Sequence, residues 1–475
     1  MPLSPSYRAS TGHQELGADF YDIVMPARFP AHLLRHRNRR WAARTGLESL
    51  TEDEWVRHFG FFEPLPGSFR EPLALRYHGH QFRTYNPYLG DGRGFLFAQL
   101  HDTRDDRLLD LGTKGSGQTP WSRHADGRLT LKGGVREVLA AEMLEALGVN
   151  TSKSFSLVET GEELERSDEP SPARSSVLVR LSHSHIRIGT FQRLLYLDET
   201  RNISKLLDHT IITYLPEIWR DSETERATAF LDEVCRRVAR MGAQWMAAGF
   251  VHGVLNTDNI NVMGESFDYG PWRFLPIYDP AFTAAYFDET GLYAFGRQPD
   301  ALLWNLFRLA ECFLPIAEQS RLEASLAAFE PVLHREFAAA ILRRLGLRPR
   351  SPEQNGTLAR SLWTFLLSTK APFEQTFFDW FGGLRSIERA RRSPSSSLYS
   401  DAAFQPFRTA LEEFEPLAEA ALDHAYFARE RPCTMLIDEV EGLWESIASR
   451  DDWSAFSAKL AETEMMAEAY GLRDT

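Results

Sequence analysis

The chain has 475 residues, of which 43% are hydrophobic and 25% charged, as in ordinary folded globular proteins. Its formal net charge of −13 argues against nucleic acid or an anionic membrane as the main partner. The cysteines Cys235, Cys312 and Cys433 lie too far apart for a disulfide scaffold or a typical zinc site. Since no signal-peptide pattern or long apolar run is present, we expect a cytoplasmic monomer without a membrane segment.

In chain order, the sequence predicts four regions and an α+β fold. Residues 1–75 contain a polar tail and Arg/Trp-rich segments, and we expect an N-terminal helical extension there. Residues 76–205 carry the strand-like segments and are predicted to form a strand-rich lobe. Residues 206–345 are predicted to form a helical lobe, and residues 346–475 a helical C-terminal extension.

Three strands and two helices are the clearest local predictions. Apolar, β-prone runs predict strands at 95–100, 108–114 and 177–181. Between the second and third, apolar residues recur at helical spacing from Val135 to Leu147, and Gly148 follows where a helix would end. A second apolar stripe from Phe230 to Trp245 predicts a helix that ends just before Gly249.

A glycine-rich segment, Gly-Asp-Gly-Arg-Gly at 90–94, precedes the first predicted strand. Gly90 and Gly92 would let the backbone come close to a phosphate, and Arg93 offers a bidentate partner for it. A hairpin turn explains the Asp-Gly pair equally well. The segment alone is therefore a weak sign of a nucleotide site.

Lys114 lies at the end of the second predicted strand, and Glu137 lies in the helix that follows. An ion pair between a strand lysine and a helix glutamate would fix the lysine for phosphate binding. Taken singly, both residues are better explained as solvated surface charges. Their order along the chain, after a glycine-rich segment, favours a nucleotide site.

Arg180 and Arg187 flank a segment that contains His183 and His185. Because side chains alternate along a strand, Arg180 should point away from the face of its apolar neighbours. Two guanidinium groups at one cleft would neutralise a triphosphate, although ordinary surface arginines are an equally good interpretation. The histidines lack a third ligand nearby, and we interpret them as structural or polar contacts.

The segment from His252 to Asn259 resembles a protein-kinase catalytic loop with one part moved. In the kinase pattern His-x-Asp-x-x-x-x-Asn, the aspartate accepts the substrate proton and the asparagine holds a metal ion. Asn259 keeps the seven-residue spacing, but Val254 occupies the aspartate position and cannot accept a proton. An acid stands instead at Asp258, and Asp268 begins an Asp-Tyr-Gly triplet.

Asn259 and Asp268 are the candidate metal ligands, because oxygen ligands suit magnesium or manganese shared with phosphate. Asp258 is the candidate general base, since it directly precedes a metal ligand. An aspartate that caps the loop is the alternative interpretation of Asp258.

Together these segments resemble the selenoprotein O family, which is also called SelO or, in bacteria, YdiU. Its members are kinase-fold pseudokinases that act as protein adenylyltransferases. The resemblance spans roughly residues 17 to 315. It rests on Tyr77-His-Gly-His-Gln-Phe82, Leu89-Gly-Asp-Gly-Arg-Gly94, Lys114-Gly-Ser-Gly-Gln-Thr-Pro120, Asp126-Gly-Arg128, Arg136-Glu137, His252-Gly-Val-Leu-Asn-Thr-Asp-Asn259, Asp268-Tyr-Gly-Pro271, Tyr278-Asp-Pro280, Tyr293-Ala-Phe-Gly-Arg-Gln-Pro299 and Trp304-Asn-Leu306.

The resemblance implies a protein-kinase-like two-lobed fold and ATP bound in reversed orientation, with its α-phosphate presented to a Ser, Thr or Tyr hydroxyl of a protein. Glu137 would orient Lys114, Asn259 and Asp268 would hold Mg²⁺ or Mn²⁺, and Asp258 would accept the proton. AMP would be transferred and pyrophosphate released. The residues implied to contact the nucleotide are Gly90, Gly92, Arg93, Lys114, Asp126, Gly127, Arg180, Arg187 and Asp268.

Two departures and three alternatives remain open at this point. Cys433 is not part of the terminal Cys-x-x-Cys or selenocysteine seen in some members, which puts a redox switch in doubt. The segment Lys132-Gly-Gly134 also differs from the more hydroxyl-rich run usual before that helix. The alternatives are a kinase-type phosphotransferase, a uridylyltransferase that uses UTP, and a non-catalytic nucleotide-binding pseudokinase.

Overall fold

The structure is a computed structural model that describes residues 3–167 and 169–473. Its strands are β1 (Ala9–Ser10), β2 (Tyr21–Ile23), β3 (Leu33–Arg37), β4 (Leu73–Leu75), β5 (Gly79–Gln81), β6 (Thr84–Asn86), β7 (Leu96–His101), β8 (Leu108–Lys114), β9 (Leu129–Thr130), β10 (Lys153–Leu164), β11 (Ala173–Ser182), β12 (Phe250–Val251) and β13 (Arg273–Phe274).

The helices begin in the N-terminal part and dominate the chain after β11. They are α1 (Arg39–Arg44), α2 (Glu52–Phe59), α3 (Leu131–Ala146), α4 (Ile188–Tyr196), α5 (Thr200–Tyr214), α6 (Glu223–Ala248), α7 (Gln298–Glu311), α8 (Gln319–Ala327), α9 (Phe329–Arg344), α10 (Pro352–Thr369), α11 (Phe373–Asp379), α12 (Ile387–Arg392), α13 (Gln405–Leu411), α14 (Ile437–Arg450) and α15 (Ser454–Tyr470).

Within the described residues, nine strands form one antiparallel sheet whose main order is β2-β4-β7-β8-β11-β10-β3. β1 pairs with β7, and β9 pairs with β11 at the periphery. Two further pairs stand apart from this sheet, β5 with β6 and β12 with β13. The fold is therefore mixed α and β, with the strands early in the chain and most helices after them.

The three predicted strands are confirmed as β7, β8 and β11. The prediction of a helical extension over residues 1–75 is wrong in its secondary structure: four short strands lie there, and only α1 and α2 are α-helical. These strands are two to five residues long, too short for alternation to show in the sequence. They complete both edges of the sheet instead of forming a separate extension.

The two faces of the sheet are covered by different layers. Val179 and Leu181 pack on one face with the tryptophans of α1 and α2, Trp41 and Trp55. Leu178, which points the other way, packs with α3 and the helices that follow. This alternation places Arg180 on the same face as α3, as the sequence predicted.

Helix α3 lies close against the sheet because Gly134 has no side chain. A Cβ at this position would lie 2.5 Å from Leu157 Cδ1 and 2.8 Å from Ser176 Oγ. Both the helix and its end agree with the prediction, since Gly148 follows α3 with a left-handed φ of +77°. Close packing at this helix fixes the height of Glu137 above the strands.

The C-terminal residues belong to the same core as the helical lobe. Tyr426, Met466 and Tyr470 are buried in one cluster with residues of α3 and α6. A second cluster joins α9 to α10, α11 and α13. Among the described residues, no helix combines the length and apolar composition that crossing a bilayer requires.

Candidate active site

A cleft of about 440 Å³ lies between the strand-rich part and the loops that follow α6. This volume is within the range of small-molecule sites. The predicted site residues that line it are Gly90, Gly92, Arg93, Lys114, Arg180, Arg187, Asp258, Asn259 and Asp268. The structure thus brings together residues that lie up to 178 positions apart, from 90 to 268.

Lys114 is held by an ion pair with Glu137 of α3. Both side chains are buried, and the lysine ammonium also lies 3.7 Å from Asp268 Oδ1. Burial lowers the pKa of Lys114, while the neighbouring carboxylate of Glu137 opposes that effect. Glu137 is not in the cleft lining, so its position fits the predicted role of orienting Lys114 from behind.

Asp268 is the anionic centre of the cleft. Its Oδ1 accepts a hydrogen bond from Arg180, and its Oδ2 accepts one from Arg187. Burial alone would raise its pKa, but these arginines and Lys114 more than compensate and hold it well below the usual range. The backbone of Asp268 is left-handed, with a φ of +63°, a conformation that costs energy and is typical of functional positions.

Asp258 differs from Asp268 in having no strong partner for one of its oxygens. Its Oδ1 is buried without a hydrogen bond, whereas its backbone carbonyl accepts one from Arg187 at 2.8 Å. Burial raises the pKa of this carboxyl to about 6, although the positive charge of Arg187 opposes the shift. An unpaired carboxylate with this pKa is a suitable proton acceptor near neutral pH.

The loop that carries Asp258 is tied to the segment that carries Asp268. His252 Nε2 lies 2.9 Å from the carbonyl oxygen of Phe267, so this nitrogen bears the proton. Asn259 Nδ2 donates to the carbonyl of Val254 at 3.1 Å, which leaves the Asn259 amide oxygen as a ligand atom. Val254 itself lines the cleft, where it offers a carbonyl but no acid.

The glycine-rich segment is held by the loop before α3. Thr119 donates to the carbonyl of Asp91 at 2.5 Å, and Ser122 donates to the carbonyl of Gly92 at 2.5 Å. Asp91 is partly buried, with its Oδ2 accepting from the backbone of Leu75 at 3.0 Å. The segment is therefore a fixed cleft wall and not an isolated surface turn.

Two predicted nucleotide contacts do not line the cleft. The carboxylate of Asp126 is exposed and forms an ion pair with Arg166 at 2.8 Å. Gly127 packs behind it against Gly117. Their neighbour Ala125 does line the cleft, so the segment reaches its edge.

His183 and His185 serve as polar contacts, as the sequence suggested. His183 Nδ1 lies 2.8 Å from the carbonyl oxygen of Leu108. His185 Nδ1 lies 3.5 Å from the buried carboxylate of Asp110. Both are oriented toward the sheet and are absent from the residues that line the cleft in the described parts of the chain.

Several residues of the cleft had no assigned role in the sequence analysis, among them Tyr77, Asp91, Arg123 and Asn256. Tyr77 packs under the guanidinium of Arg187 at 4.6 Å, and Asp91 lies 3.6 Å from the same group. Asn256 and Arg123 also line the cleft. Tyr77, Asp91 and Asn256 lie within motifs that the sequence analysis singled out, whereas Arg123 lies in a loop without such a signal.

The oxygen-bearing side chains of the cleft are too few to bind a divalent metal ion unless phosphate oxygens complete the coordination. Over residues 3–167 and 169–473, no group of three or more His, Cys, Asp or Glu side chains is arranged to hold an ion. Asp268 and Asn259 both line the cleft, where a carboxylate and an amide oxygen would offer two oxygen ligands. Magnesium is commonly bound in this way, through one or two protein oxygens plus nucleotide phosphates and water.

Comparisons with known proteins identify the family of the chain. The model of the family described as protein adenylyltransferase SelO matches residues 6–464. Protein nucleotidyltransferase YdiU of Synechocystis sp. is 44% identical over 466 residues, covering 94% of this chain and 95% of that protein. The protein of the same name from Gloeobacter violaceus is 44% identical over 457 residues, with coverage of 93% and 92%. A relative from Vibrio cholerae is 38% identical over 336 residues, with coverage of 71% and 67%.

Proposed function

Since the chain belongs to the protein adenylyltransferase SelO family, it is a nucleotidyltransferase, and we propose that it transfers AMP from ATP to Ser, Thr or Tyr hydroxyls of proteins. The observation that carries this proposal is the buried, unpaired Oδ1 of Asp258 beside a cleft that is lined by five cationic side chains, four of them predicted from the sequence and the fifth being Arg123. The four predicted cations are Arg93, Lys114, Arg180 and Arg187. We further propose that the fold is the two-lobed fold of protein kinases.

In the proposed reaction, Asp258 takes the proton of the acceptor hydroxyl. The hydroxyl oxygen forms a bond to the α-phosphorus of ATP, and the bond from that phosphorus to the bridging oxygen of the β-phosphate breaks. Pyrophosphate leaves, and the acceptor carries AMP as a phosphodiester. Asp258 suits this step because its carboxylate is buried and available, with a pKa of about 6.

The cations of the cleft would bind the leaving part of the nucleotide. Arg180 and Arg187 are buried guanidinium groups, which bind phosphate oxygens in a bidentate manner. Lys114, fixed by Glu137, adds a point charge on the same face of the sheet. This set supports a nucleotide whose β- and γ-phosphates lie deep, so that the α-phosphate is nearest the mouth and Asp258.

We propose Mg²⁺ or Mn²⁺ as the metal, held by Asp268 and Asn259. A bound metal would bridge phosphate oxygens and neutralise charge that develops on them. Asp126 and Gly127 remain proposed contacts of the nucleotide, at the edge of the cleft. The monomeric state and the cytoplasmic location remain predictions from the sequence.

Parallel incubations with ATP labelled at the α- or the γ-phosphate test the proposed transfer. We expect the α label, and not the γ label, to become covalently attached to protein in the presence of Mg²⁺ or Mn²⁺. Intact-mass analysis should show an increase of one AMP unit for each modified site. Asp258→Asn should lose the label while its Kd for ATP changes little, because the side chain keeps its size and its neighbours.

Other outcomes identify the alternative activities. Incorporation of γ label alone would contradict AMP transfer and indicate a phosphotransferase. Faster labelling from α-labelled UTP than from ATP would indicate a uridylyltransferase. Tight ATP binding without either label in protein would indicate a non-catalytic module.

A further inference from the structure

The hairpin of β5 and β6 ends in an unusual turn. Gln81 pairs with Thr84, so Phe82 and Arg83 alone form the tip. Both have left-handed backbones, with φ of +48° and +63°. Two-residue turns of this kind normally contain Asn-Gly or similar pairs, because larger side chains are strained there. The surrounding contacts must therefore stabilise this conformation.

Those contacts come from the loop that carries the proposed base. The backbone N–H of Phe82 donates to Asn256 Oδ1 at 3.0 Å, and the Tyr293 hydroxyl donates to the same oxygen at 2.9 Å. The rings of Phe82 and Tyr293 also pack together, with centroids 5.1 Å apart. Asn256 lines the cleft two positions before Asp258. The hairpin tip is thus anchored to the catalytic loop.

The first residue of the same hairpin lies against Asp258. A Cβ at Gly79 would lie 2.9 Å from Asp258 Oδ1, so glycine allows the backbone of β5 to pack directly against this carboxylate. A strand rises about 3.3 Å per residue, so at most about 10 Å of chain separates Phe82 from Gly79. An extended peptide covers the same distance with about three residues.

An exposed group of aromatic side chains surrounds the tip. Phe82 is 37% exposed, Phe287 46% and Tyr286 87%. Their rings form a continuous series, with centroids 5.9 Å apart between Phe82 and Phe287 and 5.2 Å apart between Tyr286 and Phe287. We call these three residues the aromatic patch. Grouped aromatic residues on a surface are typical of protein-binding sites, unlike single exposed ones.

Building on the proposed function, we propose that the aromatic patch binds the acceptor protein and selects its modification site. The occupant is an extended segment whose hydroxyl reaches Asp258 and which carries an aromatic or large apolar side chain two to four residues away. The patch is connected to the cleft through Asn256, which bonds to Phe82, and through Gln81 of β5, and both of these residues line the cleft. A segment that leaves Asp258 along this hairpin therefore meets the patch.

Synthetic peptides with a single serine provide the test. In the first pair, one peptide carries phenylalanine three residues before the serine and the other carries it three residues after. The matched pair carries alanine at the same two positions. We expect wild-type protein to transfer AMP to at least one phenylalanine peptide with a kcat/KM about fivefold or more above its alanine counterpart. The double variant Tyr286→Ala/Phe287→Ala should lose this preference and keep the wild-type Kd for ATP, because neither residue lines the cleft.

Phe61→Ala is the matched control. Phe61 is an exposed aromatic residue, at 57%, and it stacks on His32 outside the cleft lining. This variant should keep both the peptide preference and the ATP affinity. A general effect of removing surface aromatic residues would appear in the control as well.

Three results would overturn the inference. Equal rates for phenylalanine and alanine peptides with wild-type protein would show that the patch selects nothing. An unchanged preference in the double variant would place selection elsewhere. If the double variant differed from wild-type protein in oligomeric state by size-exclusion chromatography but kept the peptide preference, the occupant of the patch would be a second copy of the chain. Absence of AMP transfer to any peptide or protein would instead contradict the proposed function itself.

Discussion

The carboxylate of Asp258 lies among neighbours that change its pKa in opposite directions. Burial raises the pKa, the positive charge of Arg187 lowers it, and the carboxylate of Asp268 raises it again, with a result of about 6. A base with this pKa is mostly ionised at neutral pH and still accepts a proton readily. Asp268, 10 positions later, has its pKa held well below the usual range because three cations surround it. Two aspartates in one cleft are thus prepared for different tasks.

The pH dependence of AMP transfer should report Asp258. Because the base acts when ionised, kcat/KM should be half-maximal near pH 6, level off about one unit above it, and fall by up to about tenfold per unit below it. In Asp258→Asn, the rate should fall by roughly 10² to 10⁴ and this dependence should disappear. Initial rates with α-labelled ATP from pH 5 to 8 provide the measurement.

Asp300→Asn is the control for this pH profile, since Asp300 is an exposed carboxyl at the start of α7. It should leave both the rate and the pH profile unchanged. A phosphate proton of ATP titrates in a similar pH range. The variant Asp258→Asn therefore distinguishes a pH dependence that comes from Asp258 from one that comes from the nucleotide. A fall with the same midpoint in Asp258→Asn would belong to the nucleotide and would contradict the role of Asp258 as base.

At the scale of elements, helix α3 sets the position of Glu137 and therefore of Lys114. The helix has almost no solvated face, since residues from Val135 to Ala146 are nearly all buried. Its far end is held by ion pairs of Glu142 with Arg473 and of Glu145 with Arg40. Because the contact with the sheet passes through Gly134, a side chain there would move the helix as a body.

We expect Gly134→Ala to weaken both stability and nucleotide binding. The added methyl would overlap Leu157 and Ser176, and overpacking of this kind costs about 1–3 kcal/mol. Displacement of α3 would also loosen the ion pair of Glu137 with Lys114. Urea unfolding and the Kd for ATP measure the two effects.

Gly133→Ala is the matched control, one position earlier in the same helix. Its Cβ would meet the end of the Leu129 side chain at 2.9 Å, which can rotate away. Alanine also favours the helix over glycine by up to about 1 kcal/mol. The two variants should therefore differ clearly, and equal stability with equal ATP affinity would contradict the role given to Gly134.

The sequence predicted the long elements and most of the cleft, for identifiable reasons. β8 and α3 have strong periodicity, and Lys114, Glu137, Asn259 and Asp268 occur in a recognisable order. The short edge strands before residue 75 carry no periodic signal, because each depends on a partner far away in the chain. The same is true of the hairpin tip at Phe82, whose conformation depends on a hydrogen bond to Asn256.

At the scale of the whole molecule, the C-terminal residues are part of the central core. Tyr470 of α15 lies 5.3 Å from the buried guanidinium of Arg344, which also forms an ion pair with Glu374 at 2.5 Å. Cys433 is buried beside Thr463, and burial raises the pKa of its thiol to about 12. All three cysteines are buried and unpaired, so this packing and not a disulfide joins the C-terminal part to α3.

Two adjacent methionines of α15 test this shared core. Met466 is fully buried, at 0%, and Met466→Ala should cost about 2–5 kcal/mol. Met465 is 41% exposed, and Met465→Ala should cost less than about 1 kcal/mol. Because the core is continuous, Met466→Ala should lower the midpoint temperature of a single thermal transition. ATP binding should be lost in that same transition. A separate early transition, with the ATP site intact, would contradict a shared core.

The arrangement around Asp268 has a thermodynamic consequence for the order in which ligands assemble. In the free protein, this carboxylate is the counter-ion of Arg180, Arg187 and Lys114. Under the proposed function, a triphosphate that takes over these cations would release the carboxylate, which would then be available to coordinate a divalent ion. Nucleotide and ion would therefore favour each other's binding by the same factor, as linkage requires. The preformed complex of the two would be the favoured ligand, since it would exchange one set of opposite charges for another without leaving a buried charge uncompensated.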